Sequence, residues 1–329
     1  MKSKQILLTG ATGKVGSVLI KKIILDPNFS DWTIRAFCHT RVVEEQDRVS
    51  VFRGDITKQE DIVVALKDIT HVVHLATSKE TPATIIDVAI KGLFWLLEEA
   101  KSSQTLKRFV LIGGDASVGH CFYPQNKPVT EDTRHQAYPG CYALSKVLEE
   151  VMLEQYQIQY NLPSVCLRAP WIMEKDDFLY ALRFDETQFG GPLFIDLIGE
   201  ESANSYQKRD MIPVLCDANS VPLKRNFVHV EDLVDAIKIS LEHPEADQET
   251  YHICMDEPVD YQKVADYLEK TRNLKSVKIP SSCHSTWLDN SKAKFRLGWQ
   301  PKYDLERLIE EAWSFERTSE DPRIVYYPG

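Results

Sequence analysis

The chain has 329 residues, 43% hydrophobic and 27% charged, with a formal net charge of −10. That length suits one large domain with a smaller one appended, and no apolar run approaches the roughly 18 residues of a membrane helix. The acidic balance argues against a general nucleic-acid binder, which needs a basic face to displace counterions from phosphates, but it leaves room for a small anionic ligand.

The opening MKSKQILLTG enters a strand and a glycine turn directly, without the apolar stretch and cleavage site of a signal peptide. A cytoplasmic location is therefore expected. In chain order, β-rich runs predict strands at Gln5–Thr9, Thr33–Cys38, Ser50–Phe52, His71–Leu75, Lys107–Ile112 and Ser164–Leu167. Between them, helical patterning covers Lys14–Leu25, Gln59–Lys67, Pro82–Ser102 and Gly140–Tyr160. This alternation predicts an α/β fold with a doubly wound parallel sheet covered on both faces. After Pro170 the pattern breaks into polar, Gly/Pro-bearing sequence and resumes at Val228–Leu241, Asp260–Arg272 and Leu305–Phe315. Residues 1–170 are expected to form the larger domain, with 226–245 returning to it. Residues 171–225 and 246–329 are expected to form a smaller α/β lobe. The seven cysteines (38, 121, 141, 166, 216, 254 and 283) show no close spacing and read as reduced thiols rather than disulfides or a zinc cage. No metal is expected.

The first chemical motif is LLTGATGKVG. Gly10, Gly13 and Gly16 follow an apolar strand and open a helix, where backbone N–H groups, with Thr12, Lys14 and Val15 in the same turn, can cradle a pyrophosphate. A dinucleotide-binding, Rossmann-type domain is therefore expected. In FRGDIT, Asp55, followed by Ile56, can meet an adenine amino group or cap the next helix, and both readings stand. The second strand ends Cys38-His39-Thr40-Arg41, with no acid until Glu44. A carboxylate there would pair with the ribose 2′-OH of NAD and repel the phosphate of NADP. Its absence, with His39 and Arg41 at hand, favours NADP; the alternative is NAD bound through neutral contacts.

In GCYALSK, Tyr142 and Lys146 are four apart at the start of a helix and share a face. A tyrosine acting as acid or base near neutrality needs its phenolate stabilised by about 3–4 kcal/mol. One ammonium at about 4 Å contributes roughly that much.

With these motifs in order, the chain resembles the extended short-chain dehydrogenase/reductase family, in its NAD-dependent epimerase/dehydratase branch. HVVHLAT (71–77), LRAPWI (167–172), NFVHVEDLVDAI (226–237) and LDNSKAKFRLGWQPKYDLE (288–306) carry the resemblance further. GGDASVGHCFYPQ looks most like the uronate dehydrogenase neighbourhood. The resemblance implies that Tyr142 exchanges the substrate proton and Lys146 also binds the nicotinamide ribose. It further implies that Leu75, Ala76, Thr77, Ala169, Pro170 and Trp171 line the cofactor site. A serine or threonine at the end of the fifth strand would hold the reacting oxygen, but this chain has Gly113-Gly114 where the family has Ser-Ser or Ser-Thr. Ser117 can take over from the next turn, Asp115 can accept from a substrate hydroxyl, or the glycines can simply admit the cofactor. The family's asparagine in the long helix is replaced by Ala89.

The expected activity is NAD(P)-dependent hydride transfer on a sugar or a sugar-derived polyol, acid or lactone. A nucleotide-sugar epimerase with tightly bound NAD is the alternative, and a non-catalytic dinucleotide-binding sensor or scaffold is a third. A sugar-like small molecule is the expected partner, with no nucleic acid or membrane, and a homodimer is compatible. His71, His74 and His229 read as structural; Glu174, Asp176 and Asp177 as a solvated acidic loop; Lys208-Arg209 and Lys224-Arg225 as surface pairs.

Overall fold

Alternating apolar residues with opposite faces to bury build the central sheet. In β1 (Lys4–Thr9), Ile6 and Leu8 face one way and Leu7 the other, all fully buried. The computed structural model describes residues 4–323. With β1 go β2 (Trp32–Cys38), β3 (Val49–Arg53), β4 (His71–His74), β5 (Arg108–Gly114), β6 (Ser164–Ala169) and β7 (Glu249–His252). All pair in parallel, in the order β7-β6-β5-β4-β1-β2-β3. The strand order reverses between β1 and β4, and ligands of doubly wound sheets bind at the strand ends beside such a reversal.

Helix α1 (Lys14–Leu25) covers one face with Leu19, Ile20 and Ile23. On the other face, Leu93, Leu96 and Leu97 pack beside Leu153 of α2 (Cys141–Tyr160). Helix α3 (Val230–Ser240) returns to the first face through Leu233, Val234 and Ile237. A second core gathers Phe178, Phe184, Phe194, Leu215, Phe227, Leu268 and Ile309 around the parallel pair Ile212–Cys216 and Ser276–Pro280.

Three features differ from the sequence reading. The boundary at 246 moves, because Glu249–His252 hydrogen-bonds to β6 and Ala293, Leu297 and Trp299 pack into the larger core. Residues 1–3 and 324–329, the outer ends of the two expected domains, lie outside the described residues. The predicted helix 82–102 is interrupted by a π-helical turn at Ile86–Lys91, which contains Ala89. Strand β5 continues through both glycines rather than ending at Ile112. A Cβ on Gly113 would lie 2.6 Å from Glu150 Oε1 and 2.8 Å from Cys166 Sγ, so packing demands this glycine; Gly114 has only ordinary contacts, the nearest at 3.6 Å.

Among the described residues no helix is long and apolar enough to cross a membrane, and no group of three or more His, Cys, Asp or Glu is placed to hold a metal.

Candidate active site

The glycine turn after β1 is shaped for a close backbone approach. Gly10 has φ +68°, and a Cβ there would lie 2.8 Å from the Leu75 carbonyl carbon. Gly13 caps α1 without a side-chain bond, leaving the first N–H groups of the helix open. Thr9 Oγ1 accepts from Leu75 and Ala76 N–H, both at 3.2 Å, and donates to His74 Nδ1 at 2.8 Å. This ties the β1 and β4 ends together. Burial, with the Lys146 ammonium nearby, brings the His74 pKa down to about 3.

A cleft of about 240 Å³ runs from this turn to Tyr142 and Lys146. Gly10, Gly13, Lys14, Val15, Gly16, Leu75, Thr77, Ala169, Pro170 and Trp171 also line it. An uncapped helix N-terminus beside closely approached glycines, continuous with a tyrosine and a lysine, fits a dinucleotide. Thr12, Ala76, His39, Arg41, Asp55 and Ile56 do not line this cleft. Asp55 closes a turn ahead of the helix Gln59–Ala65, whose N-cap Lys58 receives no side-chain bond: Oδ1 accepts from Thr57 N at 2.9 Å and Thr57 Oγ1 at 2.8 Å, and the backbone bond leads in holding its carboxyl below the usual range. Ile56 is buried against Gly92, whereas His39 and Arg41 are exposed beyond the end of β2.

Helix α2 is anchored by a residue far from it in sequence. The Glu80 carboxylate accepts from Cys141 N at 2.9 Å and Tyr142 N at 3.3 Å, capping the helix that carries Tyr142 and Lys146. Gly140, at φ +148°, makes room: a Cβ there would lie 2.4 Å from Glu80 Oε1. The Lys79 and Lys146 ammonium groups lie 4.9 and 5.8 Å from the Tyr142 ring centre. Lys146 donates to Ile112 O at 3.2 Å and Glu149 Oε2 at 2.7 Å. Burial alone would lower the Lys146 pKa; the Glu149 carboxylate outweighs it and holds the lysine above its usual range.

Beyond Tyr142 a second cavity of about 320 Å³ opens, lined in part by Asp115, His120, Tyr138, Trp171 and Arg225. Asp115 Oδ2 is bonded to His120 Nδ1. His120 Nε2 receives Arg225 Nε at 3.1 Å and Nη2 at 2.8 Å. A guanidinium can only donate, so Nε2 accepts and the ring proton sits on Nδ1, facing the carboxylate. Arg225 stacks 3.6 Å from the Trp171 ring centre and donates to Gly191 O at 2.7 Å. The Asp115 carboxylate is thus fixed, through one imidazole, to a buried cation.

Ser117 is turned elsewhere. Asp115–Val118 form a 3₁₀ turn, in which residues two apart point about 240° apart. The Ser117 hydroxyl is fully buried, 2.8 Å from Glu150 Oε1 and 2.9 Å from Gly114 O, and does not reach the cavity. Glu150 also accepts from Arg168 Nε at 2.7 Å and pairs with His135 Nε2 at 3.0 Å. Burial would raise the Glu150 pKa, but the bonds from His135, Arg168 and Ser117 overcome this and lower it. Its ionised form therefore contributes stability above the unfolded pKa that is lost as pH falls through the lower folded one. Glu150→Gln is expected to destabilise the protein by about 3–5 kcal/mol at pH 7, since Arg168 loses its counter-charge. Urea unfolding is the check: the gap from wild type should narrow as pH falls below the ordinary glutamate range.

The surface assignment of Arg225 is corrected: it is 4% exposed, its neighbours closing over it from two other segments. Asp176 and Asp177 are likewise buried, paired with Arg317, Arg323 and Lys14. Lys208 and Arg209 are exposed, and His71 and His74 lie in the core. His229 caps α3 and stacks on Tyr303. Sequence reasoning missed Glu80, His120 and Glu149; only the i,i+3 spacing of Lys146 and Glu149 offered a local signal.

The family model of the NAD dependent epimerase/dehydratase family matches residues 6–173. This chain belongs to that family. Its family is one of NAD-dependent enzymes. It is similar to a UDP-glucose 4-epimerase of Lacticaseibacillus casei, 25% identical over 94% of this chain and 96% of that protein. Over 52% of this chain and 50% of its relative, it is 27% identical to a dTDP-4-dehydro-6-deoxyglucose reductase of Escherichia coli. Its fold is similar to that of a short-chain dehydrogenase/reductase superfamily protein from Agrobacterium tumefaciens with bound NAD (TM-score 0.78, 23% identity, 94% and 95% of the two chains). A Bacillus cereus UDP-glucuronic acid 4-epimerase with UDP-glucuronic acid and NAD is similar at TM-score 0.70 and 21% identity, over 94% and 98% of the chains.

Proposed function

We propose that this protein is a cytoplasmic NAD(P)-dependent oxidoreductase that oxidises a hydroxyl of a sugar or a sugar-derived polyol, acid or lactone. The bound nicotinamide would supply the hydride acceptor. The uncapped N-terminus of α1 and the Gly10–Gly16 turn would hold the diphosphate. Lys146, turning from Glu149, would hold the ribose hydroxyls and stabilise the Tyr142 phenolate. Tyr142, at the junction of the two cavities, would take the proton of the substrate hydroxyl.

The observation that carries the direction is the Asp115 carboxylate, anchored through His120 to Arg225 directly after the Gly113-Gly114 pair that stands in place of the family's hydroxyl residues. An ionised carboxylate only accepts hydrogen bonds, so it grips an alcohol and offers a ketone nothing. An epimerase must hold its keto intermediate as firmly as its alcohols, and this arrangement suits it less. The epimerase reading is nonetheless carried as a second one, because its support is the near full-length similarity to UDP-glucose 4-epimerases.

The test is absorbance at 340 nm with NAD or NADP over a panel of free and nucleotide-linked sugars. Net reduced cofactor on a free sugar or polyol supports the dehydrogenase. Isomerised nucleotide sugar without net reduction supports the epimerase, and silence across the panel removes both.

The exposed His39-Thr40-Arg41 run beyond Cys38 at the end of β2 supports a finer proposal, that NADP(H) binds more tightly than NAD(H). A charge-assisted contact to phosphate contributes about 1.5–3 kcal/mol, or roughly tenfold to 150-fold. Arg41→Ala is expected to narrow that gap in fluorescence titrations. Equal wild-type affinities, unchanged in the variant, would rule out a phosphate site there.

A further inference from the structure

Two thiols in the wall of the second cavity are unused by this reading. Cys121 follows His120 in the turn beyond β5, and Cys283 follows the strand Ser276–Pro280. Their Sγ atoms lie 3.6 Å apart although 162 residues separate them in sequence. The two segments are already joined: His284 N donates to Cys121 O at 2.7 Å. A disulfide needs an S–S distance of about 2.05 Å, so bond formation requires the sulfurs to approach by only about 1.5 Å.

We propose that Cys121 and Cys283 are a reversible thiol–disulfide pair, with Cys283 the thiol that reacts first with an oxidant of the peroxide class. Cys283 is half-buried and open to the cavity, whereas Cys38, Cys121, Cys166, Cys216 and Cys254 are buried. Its surroundings favour the thiolate: the hydrogen bond from Cys121 leads, overcoming burial, with help from Ser281, Arg225 and His120, and the pKa is held below the ordinary thiol range. Cys141, the other half-buried thiol, is instead bonded to the Glu80 carboxylate and pushed up.

The chemistry balances in two steps. The Cys283 thiolate attacks one oxygen of hydrogen peroxide; the O–O bond breaks, hydroxide leaves and takes up the thiol's proton as water, and Cys283 becomes a sulfenic acid. The Cys121 sulfur then attacks the Cys283 sulfur; the S–O bond breaks and a second water leaves, carrying the Cys121 proton. Two thiols lose two electrons and one peroxide gains them. A dithiol reverses the change by exchange at sulfur. The new bond would tie the Ser281–Cys283 wall of the cavity to the turn holding His120.

The experiment treats the full chain with hydrogen peroxide and follows intact mass, thiol titration and peptide mapping, none of which depends on turnover or on the reading of the cavity as a substrate site. Expected are a loss of two hydrogens, a fall from seven free thiols to five, a Cys121–Cys283 linked peptide and full recovery with dithiothreitol. Cys121→Ser should gain one oxygen on Cys283 without a link, and Cys283→Ser should leave Cys121 unmodified at the same dose. Seven retained thiols, a link between other cysteines, or oxidation of Cys121 in the Cys283→Ser variant would overturn the proposal.

Discussion

Tyr142→Phe is expected to lower turnover by about 10²–10⁴-fold while dinucleotide affinity stays within a few fold, because the phenol is the one proton carrier in the proposed reaction. The ring itself remains, so the face presented to Lys79 and Lys146 and the wall between the two cavities persist. Steady-state rates with a substrate from the sugar panel, beside a fluorescence titration with reduced cofactor, separate the two quantities. A variant that retains near wild-type turnover would remove Tyr142 from the mechanism. A variant that loses cofactor binding in proportion would assign the tyrosine to binding instead.

Asp115→Asn is expected to lower turnover by roughly tenfold to 150-fold, equivalent to a charge-assisted hydrogen bond of about 1.5–3 kcal/mol. The amide keeps the shape of the side chain but loses the charge that His120 and Arg225 hold in place. Whichever end of the amide meets His120, the other no longer offers the substrate an anionic acceptor. Ser117→Ala is expected to leave turnover within a few fold and to cost about 0.5–1.5 kcal/mol of stability, because its hydroxyl serves the Glu150 carboxylate and not the cavity. Paired rate measurements and urea midpoints on the two variants give the order. A severe loss of turnover in Ser117→Ala with a mild one in Asp115→Asn would reverse the assignment made from the 3₁₀ turn.

What could be read from the sequence followed from local rules. The βαβ alternation, the glycine turn and the shared face of Tyr142 and Lys146 each depend on residues within a few positions of one another. Lys14–Leu25 is a helix with the bounds its apolar spacing predicts. The remainder depends on contacts between distant segments. Glu80 caps α2 from 61 residues away, and Arg225 reaches His120 across 105. Neither pairing leaves a periodic trace. Arg225, Asp176 and Asp177 carry the composition of a surface, and only their partners make their burial tolerable. Strand β7 is four residues long with no periodicity to mark it, and β6 recruits it at the sheet edge. The choice between Ser117 and Asp115 turned on side-chain direction in a single 3₁₀ turn, to which residue types are blind.

The central claim is that hydride leaves the substrate for good and is not returned to it. The most direct measurement is the stoichiometry of one reaction mixture: purified protein, a free sugar or polyol from the panel and excess NADP or NAD, with reduced cofactor followed at 340 nm and the carbohydrate by NMR. One equivalent of reduced cofactor for each equivalent of oxidised carbohydrate, with no epimer formed, is the predicted result. Epimer accumulating from a nucleotide sugar while the cofactor shows no net reduction, and no oxidation of any free sugar or polyol, would contradict it.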